Sequence, residues 1–347
     1  MNHTKRFSAI LMTLVLAMAS LSLFAMSLTS CSASAEKIQV LILPKFEIGE
    51  MTGDDAGEAQ FYYDEYCKGG EEYDIDLGSE TGTLYVKDGV MLFVCGMTKV
   101  NSALNVDTLL KDSRFDFSDA YIIGTGCAGA ATGRSVMGDV CLASAVVDYD
   151  IGHRVDKSEL SDESGSSWFN DDTLGDSRYR ELNSELVDKA YELTKDVKLE
   201  TTDLTLKEMK AAYDNAKWAS RNPRVLKGAC VTADNYWKGV IGHEIAEEIT
   251  QKYGAPDPYV SCEMEDLAIT LACERNGLID KVMILRDNVD MDTFMNGATP
   301  ESLWGEANVK AISDEDNEEA LDIFPVAMEN NFKVGKVIID AILNGKF

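Results

Sequence analysis

The amino-acid sequence predicts one α/β domain, with a twisted, mainly parallel or mixed central sheet covered by helices on both faces. Three observations carry that prediction. Short apolar runs rich in β-branched residues alternate with longer segments whose apolar residues recur at helical spacing. Such alternation favours parallel pairing, because a parallel crossover needs a connection about as long as a helix. No internal repeat and no second apolar core divides the 347 residues, so one large domain is the simplest organisation.

At the start of the chain, Lys5 and Arg6 precede an apolar, small-residue stretch from Phe7 to Leu28 that ends in Leu28-Thr29-Ser30-Cys31. That pattern reads as a bacterial lipoprotein signal over 1–30, with cleavage before Cys31 and lipidation of that residue. A plain spanning helix is the alternative, but the small-residue end and the Ser32-Ala33-Ser34-Ala35 tether favour the lipoprotein. Residues 31–36 then form the tether and 37–347 the domain, exported and lipid-anchored to the outer face of a bacterial cell membrane.

Within the domain, 37–43 (KIQVLIL) reads as a buried strand, and 83–86 with 90–95 as a hairpin turning at Asp88-Gly89. A helix is predicted over 99–110, and strands over 120–123 and 139–147. The Ser-, Asp- and Gly-rich stretch 156–176 reads as loop. Helices are predicted over 179–195 and 206–220, ending near Asn222-Pro223, so that about 155–224 forms a helical insertion. A strand over 225–232, helices over 239–252 and 264–275, strands over 259–262 and 281–285, and a closing helix over 329–343 complete the reading.

The formal net charge is −28, and −30 once Lys5 and Arg6 leave with the signal. Such a surface repels phosphate backbones and excludes nucleic acid as a natural partner. Besides Cys31 there are seven cysteines, an odd number set mostly in apolar elements, which does not suit a disulfide framework. No CxxC or His–Cys spacing suggests zinc, and His3, His153 and His243 are the only histidines. A metal site or a histidine triad is therefore not expected.

The candidate chemistry lies in short segments placed at strand ends. Gly96-Met97-Thr98-Lys99-Val100-Asn101, Gly124-Thr125-Gly126-Cys127-Ala128-Gly129 and Glu263-Met264-Glu265-Asp266 occur in that order, and Arg286-Asp287-Asn288-Val289-Asp290 follows the last predicted strand. Together they resemble the nucleoside phosphorylase/nucleosidase superfamily, which breaks the bond between a ribose and its base. The resemblance implies that Asp290 contacts the purine at N7 and acts catalytically, although Val289 stands where serine is usual. It implies that Glu265 binds the ribose hydroxyls and that Met264 packs beneath the sugar. Counted from Lys37, Glu47 matches the glutamate that activates water in the related methylthioadenosine nucleosidases. An ordinary loop or helix-capping role is open to each of these acids.

Cys127, Ala128 and Gly129 are candidates to meet the base, since glycine lets the backbone approach a ligand closely. Tyr236 and Trp237 are candidates to stack on it. Gly124 stands where hexameric phosphorylases carry a phosphate-gripping arginine, which favours water over phosphate unless Arg134 or Arg154 substitutes. No cofactor is expected, and phosphate only as a co-substrate.

A closer resemblance covers most of the mature chain. Phe115-Asp116, Gly126–Gly129, 179–199 (YRELNSELVDKAYELTKDVKL), Val231-Thr232-Ala233-Asp234-Asn235-Tyr236-Trp237 and Glu263–Asp266 resemble the purine nucleoside permease family. The expected function is purine nucleoside binding with cleavage of the N-glycosidic bond. The alternative is a non-catalytic lipoprotein that captures nucleosides for a transporter. The superfamily resemblance also implies a homo-oligomer.

Overall fold

The structure, a computed structural model, describes residues 34–155, 159, 168–169, 178–294 and 323–347. The chain divides into units 1–36 and 37–347. The expected signal peptide and Cys31 lie outside the described residues, as do most of 156–176, and the second unit is described below.

In chain order its sheet strands are β1 (Val40–Leu43), β2 (Glu71–Asp76), β3 (Thr81–Lys87), β4 (Val90–Phe93), β5 (Tyr121–Ala130), β6 (Val140–Asp148), β7 (Tyr179–Glu181), β8 (Val225–Thr232), β9 (Tyr259–Glu263) and β10 (Val282–Met291). The helices that matter here are α1 (Lys99–Leu110), α2 (Ser184–Thr194), α3 (Asp203–Ala212), α4 (Val240–Lys252), α5 (Asp266–Arg275) and α6 (Phe324–Leu343). The strands lie in the order β7-β6-β8-β9-β5-β1-β4-β3-β2, and β10 pairs with both β5 and β6. β1 runs parallel to β4 and β5, as the alternation predicts. Because β10 is parallel to β5 and antiparallel to β6, the strands β5, β10, β6, β8 and β9 close into a ring.

Apolar faces cover this sheet on both sides. Val106 and Leu109 of α1 and Leu267 and Ile269 of α5 share one core cluster with Leu41, Ile122 and Ile284. Leu186 and Ala190 of α2 and Val334, Ile338 and Ile342 of α6 share another with Ile42, Ile123 and Leu285. Every residue of β6 is buried, which explains why Ser144 and Asp148 are its only polar residues. Among the described residues no helix is long and apolar enough to cross a membrane.

Several elements differ from the sequence reading. The single helix predicted over 179–195 is the strand β7 followed by α2. Tyr179, Arg180 and Glu181 pair with Val147, Val146 and Ala145, and the Asn183 side chain accepts from Leu186 N (3.3 Å) to start the helix. The helix predicted over 206–220 is α3, 203–212, and the chain then turns through Asp214 and Asn215 at positive φ. β2 went unpredicted because only Tyr73 and Ile75 interrupt its acidic run, enough for a mostly exposed edge strand. The glycine segment 124–129 is not a turn after a strand. It is the second half of β5.

Candidate functional site

A cavity of about 310 Å³ opens beyond the carboxyl ends of β1, β8 and β9 and beside the later halves of β5 and β10, where open α/β sheets place ligands. Its wall includes Phe46, Glu58, Cys127, Ala128, Gly129, Tyr236, Trp237, Met264, Glu265 and Asp290. The fold therefore gathers the predicted ribose and base candidates into one space.

Glu265 is held by an ion cluster rather than left to solvent. Its Oε2 accepts from Arg286 Nη2 (2.9 Å) and its Oε1 from Thr98 N (2.8 Å). Arg286 is fully buried and also binds Glu263 (3.0 Å) and Asp266 (2.7 Å), while its Nη1 donates to Cys127 O (2.8 Å). These carboxylates hold the guanidinium well above its ordinary pKa against the opposing effect of burial. Glu263 takes no free part in binding, since its Oε2 caps the start of α5 by accepting from Glu265 N (2.6 Å) and Asp266 N (2.7 Å). Burial, reinforced by the repulsion of Asp266, raises its pKa.

Thr98 reaches Glu265 from an unusual backbone conformation, φ 74° and ψ 156°, a region nearly reserved for glycine.

Asp290 lies on β10, not in a loop. Asn288 pairs with Ala128 and Asp290 with Gly129, so Val289 is the extra residue of a β-bulge. A bulge re-aims the side chain that follows it, and here it turns Asp290 to the cavity. Its Oδ2 accepts from the Tyr236 hydroxyl and lies 3.4 Å from Lys238 Nζ. A Cβ on Gly129 would sit 2.9 Å from Asp290 Oδ1, so a side chain there would displace the acid. Trp237 stacks on the buried Tyr149 (centroids 4.6 Å apart, planes at 7°), which fixes its ring against the cavity.

Glu47 is not among the cavity-lining residues. Its carboxylate accepts from Ile48 N (2.9 Å), Gly57 N, Ala59 N (2.8 Å) and Gln60 N (2.6 Å), knitting the segment after β1 to the helical turn that begins at Gln60. The glutamate that lines the cavity from this segment is Glu58, which the sequence reading missed. Glu58 accepts from Lys45 N (2.6 Å) and Cys127 N (2.8 Å). Burial pushes its pKa up, and Arg286 and Lys45 oppose that shift. A Cβ on Gly126 would lie 2.5 Å from Glu58 Oε1, so this glycine makes room for the carboxylate. No local signal singles out Glu58 from its acidic neighbours. Only the approach of β5 selects it.

Of the two arginines considered for phosphate, Arg134 is not among the residues of this wall. Arg134 lines a separate groove with Arg221 and Lys227 and pairs with Glu247. The Arg154 side chain lies outside the described residues. Among the described residues the cations of the cavity wall are engaged: Arg286 by carboxylates, and Lys45 Nζ by Thr125 O (2.8 Å), Leu43 O (3.1 Å) and Asp266 (3.6 Å). The sequence reading also missed Asp292 in the wall. It is buried and engaged by Thr132 Oγ1 (2.7 Å), His243 Nδ1 (2.7 Å) and the Tyr259 hydroxyl (3.0 Å), which braces the end of β10.

Solved nucleosidases share this architecture. The S-adenosylhomocysteine nucleosidase of Streptococcus pyogenes superposes with a TM-score of 0.53 at 17% identity, over 89% of this chain and 98% of its own. The futalosine hydrolase of Helicobacter pylori gives 0.53 at 14% identity, over 88% and 99%. The fold is thus that of a single α/β domain of the nucleosidase type. The purine nucleoside permease family model matches residues 37–346, and the chain belongs to that family. A Schizosaccharomyces pombe protein named as a probable purine nucleoside permease is 28% identical over 278 residues, 72% of this chain and 76% of its own length. A 5'-methylthioadenosine/S-adenosylhomocysteine nucleosidase of Maridesulfovibrio salexigens is 46% identical over 61 residues, only 18% of this chain and 25% of that protein.

Proposed function

We propose that the cavity binds a purine nucleoside and that the chain hydrolyses its N-glycosidic bond. The observation that carries the reading is the convergence of Glu58, Glu265 and Asp290 on one cavity in three different environments. Glu265, fixed by Arg286 and Thr98 N, accepts from the ribose 2′- and 3′-hydroxyls. Met264 packs under the sugar, and Trp237 offers a fixed aromatic face for the base. Glu58 serves as general base, its raised pKa bringing it nearer neutrality. Water then adds to the anomeric carbon and gives its proton to Glu58. The C–N bond electrons pass to the base, which takes a proton at N7 from the Asp290 carboxyl, itself hydrogen-bonded by the Tyr236 hydroxyl, and the proton gained by Glu58 returns to Asp290 through solvent. Water rather than phosphate is the nucleophile, because the cavity cations Arg286 and Lys45 are already bound to protein groups.

One observation favours a second reading, a binding protein that hands nucleosides to a transporter. Glu47, the position matched to the water-activating glutamate, spends its carboxylate on backbone N–H groups. Incubating the purified chain with inosine or adenosine, with and without phosphate, separates the readings. Hydrolysis releases base equally in both conditions, and Asp290→Asn slows it by about 10²-fold. Calorimetric nucleoside binding with no base released in either condition establishes the capture reading instead.

Attachment through a lipid on Cys31 at the outer face of the membrane suits either role. Fatty-acid labelling that persists in Cys31→Ala refutes it.

A further inference from the structure

Beneath the cavity floor lies a second acid that the proposed reaction does not use. Asp287 is wholly buried and is not part of the cavity wall. Its Oδ1 accepts from Asn331 Nδ2 (2.8 Å), and among the described residues its Oδ2 has no hydrogen-bond partner. Asn331 of α6 is itself locked, since its Oδ1 accepts from the Tyr62 hydroxyl (2.7 Å) and Thr125 Oγ1 (2.5 Å). One neutral donor is poor compensation for a buried negative charge.

The groups facing Asp287 come from four elements. Arg286 adjoins it on β10, but the guanidinium is committed to Glu263, Glu265 and Asp266. Cys127 of β5 is its register partner, a partly buried thiol whose pKa desolvation raises well above its ordinary value. The Tyr62 hydroxyl reaches it only through Asn331. Glu58, the fourth, repels it. Glu58 is the better seat for a charge, because it accepts two backbone N–H bonds and has Lys45 and Arg286 nearby. Two neighbouring carboxyls in such unequal surroundings do not share ionisation equally.

We propose that Asp287 is a positioning residue that holds a proton beneath the cavity and so confines the pair's negative charge to Glu58, the carboxylate facing the ligand. Burial first, and the repulsion of Glu58 second, push the Asp287 carboxyl up to about 8. The proposal rests on Glu58 as general base for its catalytic meaning, but the protonation itself has an independent readout.

The test uses the full-length chain in detergent beside Asp287→Asn, which keeps the shape and the neutral charge. Infrared difference spectra between about pH 6 and about pH 10 show one carboxylic-acid carbonyl band in the parent that the variant lacks. The variant also melts higher than the parent at about pH 9, and the gap closes toward about pH 4. In the base-release assay the two have similar rates at about pH 6, and the parent changes rate more than the variant as pH rises through about 8. Spectra that Asp287→Asn leaves unchanged, or a variant that melts lower than the parent throughout, overturn the proposal. Base release by neither protein, with the spectral and melting differences intact, refutes the hydrolytic reading and leaves the protonated Asp287 standing.

Discussion

Thr98 and Gly126 show how single residues shape this cavity. Thr98 sits where a side chain is strained yet donates its N–H to Glu265. The strain costs about 1–3 kcal/mol, and glycine in its place loses about 0.5–1 kcal/mol to added freedom in the unfolded chain. Thr98→Gly therefore stabilises the protein by about 1 kcal/mol with ligand binding retained, as denaturant titration will measure. Gly126→Ala has the opposite character. Its added carbon falls 2.5–2.6 Å from the Glu58 carboxylate group, so Glu58 must move, and under the proposed hydrolytic function base release drops by at least about 10-fold while the fold persists.

At the scale of elements, the end of β9, the start of α5 and the middle of β10 are joined by one guanidinium. Replacing Arg286 by Met leaves Glu263, Glu265 and Asp266 buried without their common partner. Removing one side of a buried ion cluster costs about 3–5 kcal/mol, whereas the pair Lys37–Asp119 is exposed and its attraction is screened by water. Thermal melting of Arg286→Met and Lys37→Met separates the two effects. The bulge at Val289 is the other element-level device, because it decides which face of β10 carries Asp290.

For the whole molecule, buried acids set the pH response. Asp287, raised from 3.8 to about 8, binds its proton more tightly folded than unfolded. Its contribution is fully present below about pH 4 and is lost as pH climbs to about 8. Glu58 and Asp139, raised chiefly by burial, act in the same direction. Asp107 and Asp112, held low chiefly by hydrogen bonds from Lys111 and Arg114, act oppositely but lie near the surface, where pairs are weak. The melting temperature accordingly falls between about pH 6 and about pH 8. Added salt raises it at about pH 8, since a net charge of −28 repels itself. A melting point that rises across that interval contradicts the buried-acid account.

The sequence by itself determined the alternating strands and helices, the parallel pairing of β1 with its neighbours, and the segments that carry Glu265, Tyr236, Trp237 and Asp290. Periodicity and strand-end motifs are local, so they survive in one dimension. Only the tertiary structure decided that β10 bridges β5 and β6, that 179–181 joins the sheet, and that the cavity takes its early acid from Glu58. Those outcomes depend on which backbone approaches which. Glu47 and Glu58 are similar loop acids until Gly126 of β5 comes close enough to admit one of them.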